Sequence, residues 1–570
     1  MAGLGVSAVA VHGAAAFMSC RASGARRVSR AGGRSGAARV RATGGEGVRG
    51  TFPETAPPPA SLGAAPLSTA FVCETAESKL GVLRDSLAPK GTLLIDGHFV
   101  RAQGGGERET EDPRTGHAYG WTTAEGSVED AEAAVVSCRR AFDVGAWPRL
   151  PAQDRGRVLW RIGDLIDERR ETLAQAETLD VGKPVAQSLE DCKAAAAVFR
   201  YYAGIVDKVH GRTAWTGRAD AAGVVTLEPV GVVAAIVPFN FPLLMAAWKV
   251  APALAAGCTV VVKPSETTPL TALMLGDLAL EAGLPPGCLN VVPGAGEVVG
   301  SALARHGDVD AAAFTGSTEV GRSILVASAE GNLKRVHLEL GGKSPLVVGP
   351  GADVEMAARV AARAAWHNGG QVCCASGSRT FVHASVHDAF VARVAELAEE
   401  RVVGDPFALQ AEQGPQASRE GLDKALGYVQ LGRDEGAEVI SGGDRLPSEG
   451  YFMRPVVMAG VKDSMAVARD EIFGPVLGVL RWTDQDELIE RCNKTRYGLA
   501  AAVVSTDLDF VRHVVPRLRV GTVWVNDAEG SIGGPDVPFG GYKQSGWGRD
   551  LGPEAMLNYL ESKSIVWPMN

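Results

Sequence analysis

Cys373 and Cys374 follow the glycine pair Gly369-Gly370 just beyond a predicted helix. A thiolate is a strong nucleophile, and glycines let a ligand approach the backbone closely. A lone cysteine is nevertheless more often an inert core residue than a nucleophile, so this segment alone leaves both interpretations open. Adjacent cysteines form a disulfide only with strained geometry, and we expect both thiols to be free.

Glu339 and Asn240 are polar residues within apolar segments. Glu339 lies in the apolar run 335–340, where a carboxylate is either paired structurally or has a raised pKa that suits a general base near neutral pH. Asn240 lies between Phe239 and Phe241, and a buried amide needs a partner. That partner is either a backbone group or an oxyanion that develops during a reaction.

Three segments could bind a dinucleotide cofactor. Residues 294–300 place glycines as in a phosphate-binding loop, but the last glycine is one position too far. Residues 314–321 follow a predicted strand and open a helix, so they either hold a pyrophosphate on free amide groups or form a capped glycine turn. Glu266 and Lys263 follow a strand end, where the carboxylate could accept both hydroxyls of an adenosine ribose and repel a 2′-phosphate. This favours NAD over NADP, and a surface ion pair is the alternative.

The elements that must position these residues alternate between short β-branched runs and apolar-periodic helical stretches. This is the spacing of parallel βαβ units, and it predicts an α/β fold with a doubly wound sheet. The apolar stretch 234–262 could suggest a membrane span, but three prolines, Asn240 and Lys249 interrupt it, so we expect a buried strand–helix–strand unit. The predicted strands are 231–237, 259–263, 289–292, 309–314 and 335–340.

The rest of the chain carries similar patterns. Asp96-Gly97 between two apolar runs predicts a β-hairpin over 93–100, and the folded body is expected to begin near Gly91. A second αβ pattern after Gly341 predicts a second domain. The predicted helices are 128–145, 154–177, 185–208, 353–366, 386–402 and 420–435, and strands are predicted near 474–480 and 522–526.

The first 50 residues differ from the remainder in composition. They hold eight arginines, no lysine and one acid, whereas the whole chain of 570 residues has a net charge of −9. A basic, acid-poor segment is typical of a mitochondrial or plastid transit peptide, and a disordered basic tail is the alternative. Residues 51–90 are predicted to be a linker or extension.

The charge and the cysteine spacing exclude several classes of partner. The acidic body argues against nucleic acid or an anionic membrane surface, since both need a clustered basic face. The nine cysteines show no Cys-x-x-Cys spacing. We therefore expect neither a structural metal site nor a disulfide framework.

Seven motifs resemble those of the NAD-dependent aldehyde dehydrogenase superfamily in type and in order. The resemblance extends from about residue 91 to 570. Segments 265–293 and 402–415 are most similar to the tetrameric cytosolic and mitochondrial branch that oxidises general aldehydes. The motifs are residues 238–242, 263–266, 314–321, 338–345, 370–373, 471–475 and 538–546.

The resemblance implies three structural parts. Residues 91–210 and 230–341 would form a Rossmann-type NAD-binding domain, and residues 342–545 an αβ catalytic domain. Residues 211–229 and 546–570 would form a small β oligomerisation domain. A homotetramer or homodimer acting on a small aldehyde is implied. The composition of the N-terminal segment, rather than the resemblance, predicts the mitochondrial matrix or alternatively the plastid stroma as the location.

For catalysis, the resemblance implies that Cys373 is the nucleophile and Glu339 the general base. The Asn240 side chain and the Cys373 N–H would form an oxyanion hole. The chemistry is consistent, because thiolate attack on an aldehyde creates an alkoxide that two such donors stabilise. Loss of hydride to the nicotinamide would leave a thioester, which water activated by Glu339 would hydrolyse.

The resemblance also assigns residues to the cofactor, a proton relay and a substrate tunnel. NAD would be bound by Lys263 and Glu266 at the adenosine ribose, Ser317 at the pyrophosphate, and Glu471 and Phe473 at the nicotinamide ribose and ring, with Gly296 and Phe239 nearby. Phe239 stands where the family often has tryptophan. The relay pair would be Lys249 and Asp550, and the tunnel would be lined by Phe241, Met245, Trp248, His367 and Phe539.

Three alternatives remain open. The segment 238–242 suggests a coenzyme-A-acylating dehydrogenase, but such enzymes generally lack a glutamate at the position of Glu339. A betaine-aldehyde type would favour an aromatic residue at 367 rather than His367, which we expect to pack on its neighbours or to admit a polar aldehyde. Apparent insertions near 376 and at 527–538 leave the aldehyde undefined. From another class, a non-catalytic oligomeric scaffold would keep the fold without the activity.

Overall fold

The computed structural model describes residues 81, 83–372, 375, 377–527 and 533–569. The predicted transit peptide and most of the predicted linker lie outside these residues. So do Cys373, the expected nucleophile, and, within the two apparent insertions, residue 376 and residues 528–532.

The described chain contains twenty strands, numbered here in chain order. The first eleven are β1 (Thr92–Ile95), β2 (His98–Arg101), β3 (Glu107–Asp112), β4 (His117–Ala124), β5 (Arg212–Ala214), β6 (Ala221–Pro229), β7 (Val232–Ile236), β8 (Thr259–Lys263), β9 (Leu289–Val291), β10 (Ala311–Thr315) and β11 (Arg335–Glu339). The others are β12 (Pro345–Val348), β13 (Arg379–His383), β14 (Glu438–Ser441), β15 (Val456–Ala459), β16 (Val476–Trp482), β17 (Ala500–Val504), β18 (Thr522–Val525), β19 (Gly546–Trp547) and β20 (Leu560–Pro568).

Fifteen α-helices connect these strands in the described residues. The first eight are α1 (Val128–Asp143), α2 (Ala152–Glu168), α3 (Arg170–Val181), α4 (Val185–Ile205), α5 (Pro242–Ala256), α6 (Leu270–Glu281), α7 (Ser301–Arg305) and α8 (Thr318–Glu330). The others are α9 (Val354–Trp366), α10 (His387–Glu400), α11 (Arg419–Asp434), α12 (Ala466–Arg469), α13 (Gln485–Asn493), α14 (Leu508–Val514) and α15 (Gly552–Leu557).

The larger sheet has eight strands in the order β19-β11-β10-β7-β8-β9-β1-β2. Its five central strands are parallel to one another, and antiparallel strands flank them on both sides. The central strands β7 and β8 are buried along their whole length, as the β-branched sequence runs predict for a sheet covered on both faces. All five predicted strands of this sheet are confirmed within two residues at each end.

The predicted hairpin is confirmed at the edge of this sheet. Ile95 pairs with His98 across the turn. Asp96 and Gly97 both have positive φ, 55° and 79°. Two left-handed residues give the turn whose twist matches that of paired strands, which explains the Asp-Gly pair.

The apolar stretch after β7 forms α5, and every residue of this helix is buried. Pro242 occupies the first turn of the helix, where its missing N–H leaves no hydrogen bond unmade. The stretch is therefore a strand–helix–strand unit, as predicted. No helix among the described residues combines the length and the apolar character needed to cross a bilayer.

The second large sheet has seven strands in the order β14-β15-β16-β13-β12-β17-β18. All of its pairings are parallel except that of β14 with β15. The helices predicted at 353–366, 386–402 and 420–435 are α9, α10 and α11. The strands predicted near 474–480 and 522–526 are β16 and β18.

The segment 546–570, which we expected to serve oligomerisation as a whole, is divided in the structure. β19 belongs to the eight-stranded sheet, where Gly546 pairs with Glu339, and α15 packs against α5. Only β20 joins the small antiparallel sheet β20-β6-β5, pairing with β6 along all nine residues. The division matters because it brings residues 546–559 to the carboxyl edge of the larger sheet.

Two further expectations need correction. The helix predicted over 154–177 is two helices, α2 and α3, because the backbone of Arg169 leaves the helical conformation. The folded body begins before Gly91, since Leu83 and Leu87 are buried in the main core. The periodicity of apolar residues does not reveal the break at Arg169, because a single non-helical residue hardly changes that periodicity. It does not reveal the earlier start of the folded body either, because two leucines are too few to form a recognisable pattern.

Candidate active site

A cavity of about 1090 Å³ lies where the central parallel strands of the eight-stranded sheet end at their carboxyl termini. Parallel α/β sheets bind ligands at this edge, because strand ends and helix starts meet there. The cavity, called the central cavity below, is lined by fifteen residues singled out from the sequence. They are Phe239, Asn240, Phe241, Met245, Trp248, Lys263, Glu266, Gly296, Ser317, Glu339, His367, Glu471, Phe473, Phe539 and Asp550.

Glu339 is the last residue of β11, and its carboxylate is buried in the wall of the central cavity. Neither of its side-chain oxygens has a hydrogen-bond partner among the described residues. Burial raises the pKa of Glu339 well above its usual range, and the nearby Asp550 carboxylate raises it further. A carboxyl group in this state exchanges protons nearer neutral pH than an exposed glutamate does.

Lys249 and Asp550 are brought together behind Glu339. The Lys249 ammonium donates to Oδ2 of Asp550 over 3.0 Å, and both side chains are at most 1% exposed. Asp550 lines the central cavity, whereas Lys249 reaches it only through Asp550. The structure therefore places the two residues of the expected relay in direct contact.

His337 completes this group, and the sequence reasoning missed it. Its Nε2 lies 3.6 Å from Oε1 of Glu339 and 3.6 Å from Oδ1 of Asp550. Burial lowers the pKa of His337 to about 4, more than the Asp550 carboxylate raises it. A signal was present in the sequence, because residues two apart on a strand share a face and His337 precedes Glu339 by two positions.

Asn240 lies at the start of the turn that leads into α5, and it is 5% exposed. Its Nδ2 donates to the backbone carbonyl of Gln371 over 2.7 Å, and its backbone carbonyl accepts from Nδ2 of Asn368 over 2.9 Å. A side-chain amide carries two N–H groups, so one remains for a group in the cavity. These bonds tie Asn240 to the segment that immediately precedes Cys373.

Cys373 itself lies outside the described residues. Two nearby residues are described: Val372, which precedes it, is fully buried, and Ala375, two positions after it, lines the central cavity. The cysteines that the structure describes (Cys138, Cys192, Cys258, Cys288 and Cys492) are all buried free thiols. Burial raises the pKa of the Cys258 thiol to about 12, which leaves it un-ionised near neutral pH.

One end of the central cavity carries Lys263, Glu266 and Ser317. The Lys263 ammonium donates to Oε2 of Glu266 over 2.9 Å at the carboxyl end of β8. Burial is the largest single influence and raises the pKa of Glu266, but the charge and hydrogen bond of Lys263, a backbone hydrogen bond and the charge of Arg108 together outweigh it and lower the pKa. Ser317 caps α8, its Oγ accepting from the amide of Val320, so the positive end of this helix faces the cavity.

Gly296 and the residues around 471–473 form other parts of the wall. A Cβ at Gly296 would meet nothing within 4 Å, so the backbone there borders open space. Glu471 accepts from the amide of Gly342 over 3.1 Å, and burial raises its pKa. Phe473 has a φ of +62°, a strained conformation for a side chain of this size, and its ring lies 5.8 Å from that of Phe239.

The residues of the predicted substrate tunnel, Phe241, Met245, Trp248, His367 and Phe539, line one arm of the central cavity, and most of them are aromatic. Phe241 stacks on His367 with ring centroids 6.3 Å apart, and Trp248 meets Phe539 edge to face at 5.5 Å. Burial lowers the pKa of His367 to about 4, so the ring is neutral near pH 7. The expectation that His367 packs on its neighbours agrees with this contact.

A buried ion cluster below this arm was not anticipated from the sequence. The Lys183 ammonium contacts Glu177 and Asp191 and lies 4.6 Å from the Phe241 ring centroid. The Lys183 side chain has no exposed surface. The cluster therefore supports the floor of the arm, and residues 183 and 191 alone give no pattern that would have revealed it.

The model of the Aldehyde dehydrogenase family matches residues 99–565. The chain belongs to this family. Aldehyde dehydrogenase family 2 member B4, mitochondrial, from Arabidopsis thaliana is 50% identical over 481 residues, which is 84% of this chain and 88% of the relative. Benzaldehyde dehydrogenase, mitochondrial, from Antirrhinum majus is 48% identical over 477 residues, 83% of this chain and 88% of the relative.

A solved aldehyde dehydrogenase has the same fold. The crystal structure of betaine aldehyde dehydrogenase from Staphylococcus aureus in complex with NAD+ superposes with a TM-score of 0.83 at 39% identity. The match covers 86% of this chain and 96% of the bacterial one. The predicted fold class is thereby confirmed, since this aldehyde dehydrogenase shares its architecture over nearly its whole length.

Proposed function

We propose that this aldehyde dehydrogenase oxidises an aldehyde to the carboxylic acid with NAD+, using Cys373 as nucleophile and Glu339 as general base. The observation that carries the proposal is the Glu339 carboxylate, buried and without a partner in the described residues, on the same cavity as Asn240. A buried acid without a partner is costly for the fold, so a role in the reaction explains why it is there.

Carbon–sulfur bond formation is assigned to Cys373. Its thiolate attacks the carbonyl carbon, and the carbonyl oxygen becomes an alkoxide. The free N–H of Asn240 stabilises that charge together with the Cys373 amide, because preorganised donors favour the charged state in a site shielded from water. The hydrogen bond from Asn240 to Gln371 fixes the orientation of the amide.

Hydrolysis of the resulting thioester is assigned to Glu339. The ionised carboxylate takes a proton from the attacking water, the carbon–sulfur bond breaks, and the acid and the Cys373 thiolate are released. Asp550 and Lys249 lie behind Glu339 as a buried ion pair. They are proposed to receive the proton from Glu339 on its way to solvent.

The residues at the far end of the cavity fit NAD+. Glu266 offers carboxylate oxygens to ribose hydroxyls, the α8 N-terminus offers amide groups to a pyrophosphate, and Gly296 leaves room for both. Bound NAD+ supplies the acceptor for the hydride that leaves the substrate carbon. The negative charge of Glu266 disfavours a 2′-phosphate, so we infer that NAD+ is used rather than NADP+.

Hydrolysis is favoured over transfer to coenzyme A. The observation that favours hydrolysis is again Glu339, because acyl transfer to a thiol needs no base that activates water at this place.

The aldehyde is inferred to be small and largely apolar, since Phe241, Trp248 and Phe539 line the arm. A homotetramer or homodimer is proposed, with β20 and β6 at the subunit contact.

We also propose that residues 1–50 direct the protein to mitochondria, with the plastid as the alternative. Their basic, acid-poor composition and the mitochondrial relatives support this. A fusion of residues 1–90 to a fluorescent protein is expected to enter mitochondria. Accumulation in plastids or in the cytosol would overturn the assignment.

An aldehyde panel with NAD+ tests the proposed reaction. The wild-type protein is expected to give a burst of NADH followed by steady turnover and one carboxylic acid per NADH. Cys373→Ala is expected to lose both phases. Formation of acyl-coenzyme A when coenzyme A is added would favour the acylating alternative. Absence of NADH formation with every aldehyde tested would favour a non-catalytic scaffold.

A further inference from the structure

We propose that His337 is a positioning residue that donates a hydrogen bond from Nε2 to the Glu339 carboxylate and shares that donor with Asp550. The inference rests on the proposed role of Glu339 as general base. It adds a residue that controls how readily this base ionises.

The neighbouring Asn558 sets which ring nitrogen of His337 carries the proton. Nδ2 of Asn558 donates to the carbonyl of Arg549 over 2.8 Å, and this bond fixes the orientation of the amide. The same Nδ2 lies 2.6 Å from Nδ1 of His337, so Nδ1 accepts. In a neutral imidazole the other nitrogen must then be the donor, and that nitrogen is Nε2.

Nε2 of His337 faces one oxygen of each of two carboxylates, those of Glu339 and Asp550; the other oxygen of Asp550 accepts from Lys249. Nε2 lies 3.6 Å from Oε1 of Glu339 and from Oδ1 of Asp550, and none of these three atoms has a hydrogen-bond partner in the described part of the chain. A small rotation of the ring brings the donor within range of one oxygen at a time. Nε2 of His337 can therefore donate to whichever of the two carboxyl groups, Glu339 or Asp550, is ionised.

Two glycines leave the space that this arrangement needs. A Cβ at Gly548 would lie 2.6 Å from Nδ1 of His337, and a Cβ at Gly540 would lie 2.6 Å from Oε1 of Glu339. Any larger residue would displace the imidazole or the carboxylate. The close approach of both segments fixes the two side chains on one face of β11.

The surroundings keep the ring neutral. The charges of Lys249 from α5 and Arg549 from the loop after β19 disfavour a protonated, positively charged His337. The Asp550 carboxylate favours the protonated form, and the Glu339 carboxyl group lies beside the ring. Burial is the largest influence and lowers the pKa of His337 to about 4. Near neutral pH the ring is therefore a fixed donor, and a donor to a carboxylate stabilises its ionised form.

A matched pair of variants tests the donor. His337→Asn keeps an acceptor for Asn558 but has no atom at the position of Nε2, whereas His337→Gln extends an N–H donor to about that position. The acyl-enzyme is formed with p-nitrophenyl acetate in the presence of NAD+, and its decay is followed by rapid quench and intact mass spectrometry from pH 5 to 10.

We expect the acid limb of the decay rate to move to higher pH by about one unit in His337→Asn, because the pKa of Glu339 rises when the donor is lost. His337→Gln is expected to return the limb most of the way to the wild-type position. His98→Asn, on the exposed strand β2, is the control. The proposal would be overturned if His337→Asn slowed the decay of the acyl-enzyme without moving its acid limb. It would also be overturned if the acid limb moved equally in His337→Asn and His337→Gln.

Failure of the underlying proposal gives different results. If Cys373 is not the nucleophile, Cys373→Ala still forms the acyl adduct. If Glu339 is not the base, Glu339→Gln still loses the adduct at the wild-type rate. Thermal unfolding of each variant separates loss of fold from loss of the donor, and Asn558→Leu, which releases the ring without changing it, is the second variant if His337→Asn does not fold.

Discussion

Lys249 and Asp550 form a buried ion pair of 3.0 Å between residues 301 positions apart in the chain. Lys249 lies in the middle of the fully buried helix α5, and Asp550 lies in the loop after β19. Charges are expensive to remove from water, so each of these residues depends on the other. The pair thus joins the C-terminal segment to helix α5, which connects the adjacent central strands β7 and β8.

Removal of one partner of this pair is expected to destabilise the protein strongly. Lys249→Met leaves the Asp550 charge buried alone and should lower the free energy of unfolding by about 3–5 kcal/mol, as should Asp550→Leu. The double variant should recover most of the loss. Urea unfolding at pH 7 measures all three, and simple addition of the two single losses would contradict a direct pairing.

Asn240→Ala is expected to slow NADH formation by roughly 10²–10³-fold, because the alkoxide loses one of two donors. Asn240→Asp, which has the same shape but no N–H, should be at least as slow. NAD+ affinity, measured by fluorescence titration, should change little in either variant. Full activity of Asn240→Asp would exclude the amide N–H as an oxyanion donor.

Glu339→Gln is expected to keep the NADH burst and lose the steady phase, because only hydrolysis requires the base. In the wild-type protein the steady rate should rise with pH through the pKa of Glu339, which burial places well above the usual glutamate range. The ionised form is the active one, so activity is lost on the acid side. Stopped-flow NADH absorbance across pH 5–10 measures both, and an acid limb near pH 4.5 would contradict the raised pKa.

Glu266→Gln is expected to weaken the preference for NAD+ over NADP+ by roughly tenfold, because it removes the charge that repels a 2′-phosphate. The Lys263 ammonium, freed from its ion pair, could then face that phosphate. Glu330→Gln, at the exposed end of α8, is the control. Kinetics with both cofactors measure kcat/KM, and an unchanged ratio would remove Glu266 from the specificity site.

His367→Phe is expected to make stability less dependent on pH. The pKa of His367 is about 4 in the folded protein and near 6.5 when unfolded, so the unfolded chain binds an extra proton between these values. The wild-type protein should lose up to about 2 kcal/mol of unfolding free energy at this residue between pH 7 and pH 5. Urea unfolding at both pH values tests this, and an equal loss in the variant would contradict the buried neutral imidazole.

Much of the fold could be predicted from the sequence. The alternation of β-branched runs and apolar helices located β7 to β11, and the Asp-Gly pair located the β1–β2 turn, because both signals are local. The break at Arg169 and the packing of Leu83 could not be predicted, because one depends on a single backbone conformation and the other on a distant core.

The site divides in the same way. Motifs identified Asn240, Lys263, Glu266 and Glu339 one by one, since residue type and position at a strand end were enough to suggest chemistry. His337 was missed because its role depends on Asn558 and Asp550, which approach it only when β19 pairs with β11.

The sequence by itself determined most of the secondary structure, the family motifs and the types of groups available for catalysis, because these depend on side chains within a few positions of each other. The tertiary structure alone decided which charges are paired, which carboxylate stays without a partner, and which nitrogen of His337 carries a proton. Those properties come from burial and from contacts between segments hundreds of residues apart, and no local pattern records them.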